Sequence, residues 1–90
     1  MSSDREIELA WALADIVGSE VPVFDRHLLY ITLGLGEVGA AIHLLLGYAV
    51  DKRIPLSIDI YLEARSWSQS YRGRPEEVAL IALLDRAVVE

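Results

Sequence analysis

Apolar residues recur at helical spacing along most of the chain. Ile7, Trp11 and Ala14, joined by Leu13 and Val17, define a first broad apolar face. Ser3-Asp4-Arg5-Glu6 ahead of it fits a capping box, in which serine and glutamate side chains satisfy the free N–H groups of a first turn. Gly18 is a natural stop, and Glu20-Val21-Pro22 reads as a linker. Phe24, Leu28 and Ile31 share a face over residues 23–33 and predict a second, shorter helix, broken by Gly34-Leu35-Gly36. A third helix is expected from Glu37 to Asp51, with Val38, Ala41, Ile42, Leu45 and Ala49 inward and Lys52 and Arg53 at its negative end.

Ile54-Pro55 ends that helix, because the residue before proline avoids helical dihedrals. Ser57 can cap a fourth helix reaching Tyr71, with Ile60, Ala64, Trp67 and Tyr71 as its seam and Arg72-Gly73 closing it. Leu56, Ile58, Ile60 and Leu62 alternate as a strand would, but the helical spacing continues past them and decides for helix. Arg74-Pro75-Glu76-Glu77 opens a fifth helix, with proline at its first position and acids in its first turn. Val78 to Leu84 is apolar on every side, which predicts a helix central to the core. The expected fold is all-α, a compact bundle of four to five short helices forming one domain over residues 1–90.

Composition narrows the classes. Apolar residues make up 53% and mean hydropathy is +0.34, rich for so small a domain, so surplus apolar surface is expected to find a partner or a second copy of the chain. There is no cysteine, which excludes disulfides and thiolate metal sites. Met1-Ser2-Ser3-Asp4-Arg5-Glu6 lacks the basic and then apolar run of a signal peptide, and the cytoplasm is the expected location. The net charge of −6 lies wholly in residues 1–51, where eight carboxylates face only Arg5 and Arg26; residues 52–90 hold six acids and six bases. Such a field repels nucleic acid and favours encounter with a basic partner.

Candidate chemistry adds little. Gly34-Leu35-Gly36-Glu37-Val38-Gly39 spells the dinucleotide fingerprint G-x-G-x-x-G, with Asp59 twenty residues on. The chain begins with a helix, at most two strands could exist, too few for a doubly wound sheet, and Glu37 would sit beside the phosphates, so a helical corner built on glycine is the expectation. Leu28 to Val50 has the length of a membrane span, but Glu37 near its middle opposes insertion. His27 and His43 have no metal-ligand spacing, and Ser57, Ser66, Ser68 and Ser70 have no nucleophile context. Arg65, Trp67, Tyr71, Arg72 and Arg74 interleave bases with aromatics as single-strand binders do, although Trp67 and Tyr71 belong to a buried seam. No catalytic residue, metal or cofactor is expected.

The run Gly36-Glu37-Val38-Gly39-Ala40-Ala41-Ile42, then Leu45-Leu46, then Lys52-Arg53-Ile54-Pro55-Leu56-Ser57 resembles the MafI-type immunity proteins, and more loosely those of contact-dependent inhibition systems. The likeness covers about residues 34–67, and it departs at Leu44 and in the apolar fifth helix. It implies a small helical protein of the cytoplasm that binds the toxic domain of a secreted bacterial effector and blocks it. Many such toxins are basic nucleases, and a carboxylate cluster can imitate the phosphates they bind. Glu20, Asp25, Glu37 and Asp51, at the corners of the acidic half, are the expected partner-binding residues. The competing expectation is a helical module that pairs with itself through its surplus apolar surface, without a toxin.

Overall fold

The structure, a computed structural model, describes residues 4–90 and every side chain among them except that of Phe24. Five helices follow one another: α1 (Asp4–Val17), α2 (Val23–Gly34), α3 (Val38–Asp51), α4 (Ile58–Ser68) and α5 (Glu76–Arg86). Short 3-10 turns, Gly18–Glu20 and Gln69–Tyr71, extend α1 and α4. The all-α bundle expected from the spacing is therefore present, and the Cα radius of gyration of 12.0 Å is that of a compact chain of this length. The Ser3 half of the predicted capping box lies outside the described residues.

α3 is the hub. It packs against α1, α2 and α5, while α4 completes the ring by touching α1 and α5. Its inward face is the predicted one, Val38, Ala41, Ile42, Leu45 and Ala49, with Leu46 added, and all six are buried. Leu13, Ile42, Leu45, Leu56 and Leu80 are each almost wholly removed from water, worth about 1.5–3 kcal/mol apiece.

α1, α2 and α5 depart in part from the packing their sequences predict, although Leu13, Ala14 and Val17 of α1 are buried as expected. α1 buries Leu9, Ala10, Leu13, Ala14 and Val17, whereas Ile7 and Trp11 lie on its exposed flank. Ala10 and Ala14 are small enough for α1 to lie close on α3, and Trp11 instead stacks on Tyr30 of α2, with ring centroids 6.2 Å apart. α2 buries Leu29 and leaves Leu28 and Ile31 outside. Its polar pair turns inward because the partners lie there: Arg26 donates to the Val21 carbonyl at 3.1 Å, and Asp25 reaches the Tyr48 hydroxyl. α5 is peripheral. It lies at the bundle edge against α3 and α4, burying Leu80 and Leu84 while Val78 and Ile81 face solvent.

The ends of α2 and α3 use one device. Glu37 N–H bonds to Thr32 and Gly36 N–H to Leu33; Ile54 N–H bonds to Ala49 and Arg53 N–H to Val50. Each is a Schellman closure with a left-handed residue, Gly36 at φ +82° and Arg53 at φ +53°. α4 starts as expected, with the Ser57 hydroxyl accepting from Ile60 N–H at 3.3 Å, and stops at Ser68 in place of Tyr71. The alternation around Leu56 survives as a single parallel bridge to Val89: Leu56 N–H donates to Val88 and Glu90 N–H returns to Leu56. Among the described residues no helix is long and apolar enough to cross a membrane; the apolar stretch Leu28 to Val50 is divided at the corner before α3.

Candidate functional site

The α2–α3 hairpin brings the start of one helix to the end of the other, since Asp25 in the first turn of α2 meets Tyr48 in the last turn of α3. The same stretch of α3 turns residues at a spacing of three and four away from the core. His43, Leu44, Gly47, Tyr48 and Asp51, with Leu83 of α5, line an open hollow of about 390 Å³. Gly47 is part of its lining, and a Cβ there would meet nothing within 4 Å, so the absent side chain leaves the hollow more open. Leu44 and Leu83 supply apolar walls, and the exposed carboxylate of Asp51 stands on the rim. Behind the Tyr48 wall, Asp25 holds the phenol pKa above its ordinary value, first by their hydrogen bond, then through burial and the carboxylate charge.

The four expected acids therefore separate. Asp25 and Asp51 flank Tyr48 at one end of the hairpin. Glu20 is exposed in the turn that leads into α2 and belongs to the same end of the chain path. Glu37 is exposed at the opposite end of α3, about 20 Å from Asp51 along the axis. It caps α3 through its carbonyl, which accepts from Ala41 N–H, and its carboxylate makes no cap bond.

Sequence reasoning missed Gly47, Tyr48, Leu44 and Leu83. A usable signal was Gly47 inside the expected third helix, where glycine costs roughly 1 kcal/mol against alanine and calls for a local reason.

The shape suits a long basic side chain. Its aliphatic stem can lie on Leu44, Gly47 and the Tyr48 ring while its cationic head reaches Asp51, with Asp25 adding negative charge from behind Tyr48. Other hollows lie beside α4. One, between α1 and α4, is spanned by the Arg5–Glu63 ion pair at 3.0 Å and by a bond of 2.7 Å from the Trp67 indole to Glu6.

Two glycines of the G-x-G-x-x-G run have structural work to do. Gly36 takes the left-handed position of the corner, and Gly39 sits under the Tyr71 ring, whose hydroxyl a Cβ would strike. The aromatic seam is likewise engaged within the fold: Trp67 meets Tyr71 edge to face, and the Arg74 guanidinium lies over Tyr71. Among the described residues no three His, Asp or Glu side chains converge as a metal ion would require. No protein-family model, curated protein or solved structure matches the chain.

Proposed function

We propose that this chain is an immunity protein: it binds the toxic domain of a secreted bacterial effector, a basic nuclease domain by preference, and holds it inactive as a stoichiometric complex. The observation that carries the reading is the hollow on α3, where an apolar floor adjoins Asp51 and the Asp25–Tyr48 pair. A cationic side chain of the partner anchors there, and the acidic half of the chain supplies the field that draws it in. The cytoplasm is the proposed place of capture.

Neutralisation is the direct test. The C-terminal domain of a large secreted protein encoded beside this chain is produced in bacteria alone and together with it. Rescue of growth and a one-to-one complex are expected, and Asp25→Lys with Asp51→Lys should weaken the complex by at least tenfold while leaving the helical circular dichroism intact. Absence of rescue by the wild-type chain overturns the proposal. Affinity unchanged after reversing Glu20, Asp25, Glu37 and Asp51 together overturns the acidic site.

A further inference from the structure

We propose that the outer face of α2 pairs two copies of this chain into a homodimer. α2 packs chiefly on α3, and its far side is open: Val23 is 64% exposed, Leu28 50%, Ile31 59% and Leu35 72%. Tyr30 borders this row, extended by its stack with Trp11. Six large side chains left roughly half in water amount to on the order of 600 Å² of apolar surface, at the upper end of what a monomer carries as one patch. Two such faces together bury about 1,200 Å², the lower bound of stable protein interfaces.

Charge decides the occupant. The two charged residues of α2 are turned in, Asp25 to Tyr48 and Arg26 to the Val21 carbonyl, so the outer face holds neither a carboxylate nor a lysine or arginine. A basic partner finds no counter-charge on it. A second copy meets no like charge from α2, and a two-fold contact sets the same row of Val, Leu and Ile, with the exposed His27 among them, against itself; the Glu8 and Asp15 carboxylates beside Trp11 lie at its edge. The charge of −6 per copy, Glu8 and Asp15 included, acts from the edge of the contact outward and is screened by salt. Dimerisation therefore tightens as salt rises, whereas capture of a basic toxin weakens. The toxin site on α3 stays free.

Sedimentation velocity on the intact chain tests this. A mass near twice 10.0 kDa is expected at micromolar concentration, with the dissociation constant falling severalfold on adding salt. Ile31→Asp should return the mass to 10.0 kDa with unchanged circular dichroism, and Val78→Asp, on the exposed side of α5, should not. Because the chain has no cysteine, Ile31→Cys gives a second readout: mild oxidation should cross-link two copies, and Val78→Cys should cross-link far less. A wild-type chain of single mass at every salt concentration overturns the proposal. So does equal cross-linking at positions 31 and 78.

Discussion

A Cβ placed on Gly39 would run into the Tyr71 hydroxyl, while the next ring atom lies at an ordinary 3.7 Å. The ring is held from both sides by Trp67 and Arg74, so it does not simply swing away. Gly39→Ala should therefore destabilise the protein by about 1–2 kcal/mol, the cost of overpacking less the gain in helix propensity. In a Tyr71→Phe background the same change should become neutral or stabilising by up to about 1 kcal/mol, because the obstructing atom is gone. Urea unfolding of the four proteins checks the change of sign. Tyr48 offers a titration. Its folded pKa is raised by Asp25 and burial, so its contribution to stability is fully present below the ordinary phenol value of about 10 and is lost as pH rises through the folded value. Asp25→Asn should move the ultraviolet tyrosinate titration of one of the four tyrosines to lower pH and make the alkaline loss of stability shallower. A titration unmoved by that change would separate Asp25 from the site. At this scale the acids were readable, since a carboxylate announces itself by type. Tyr48 and Gly47 were not, because what matters in them is which side of α3 they occupy.

Helix boundaries were more legible than helix faces. Caps and breakers are local chemistry: Ser57, Pro75, Gly36 and the Ile54-Pro55 step act on their own neighbours, and the ends fall within a few residues of them. The inward face is set by what lies across the interface. α3, touched on three sides, shows its true seam in its spacing. α1, α2 and α5 are covered on part of their circumference, and large apolar residues on the uncovered part, Trp11, Ile31 and Val78, shift the apparent seam. The two Schellman ends give a prediction at this scale. Gly36 occupies the left-handed position after α2 without strain, and Arg53 occupies the equivalent position after α3 with a Cβ. Arg53→Gly should raise stability by roughly 0.5–1 kcal/mol, measured by denaturant midpoint. The ties between α1 and α4 should differ in strength. Arg5 and Glu63 are largely in water, and Glu63→Ala should cost less than about 1 kcal/mol. Glu6 accepts from a half-buried indole, and Glu6→Ala should cost about 1.5–3 kcal/mol, with Glu6→Gln recovering part. Equal losses from Glu6→Ala and Glu63→Ala would contradict this ranking.

Across the whole molecule, charge and apolar surface are unevenly distributed. The outer side of α1 carries Asp4, Glu8 and Asp15, exposed and held by no ion pair among the described residues, while the outer side of α2 is apolar and the hollow on α3 combines both characters. Under the immunity reading the two sets of acids act at different moments. Those of α1 work at a distance, by raising the rate of encounter with a basic domain, and those at the hollow work in contact, by slowing its release. Neutralising Asp4, Glu8 and Asp15 to their amides should lower the association rate constant by about three- to tenfold at low salt and leave dissociation nearly unchanged. Asp51→Asn should instead accelerate dissociation. Raising salt from about 0.05 to 0.5 M shortens the Debye length from roughly 14 to 4 Å, and the wild-type association rate should then fall to that of the neutralised variant. Stopped-flow mixing resolves both constants. An association rate indifferent to salt would mean that the negative half of the chain steers nothing and serves only to keep it dispersed.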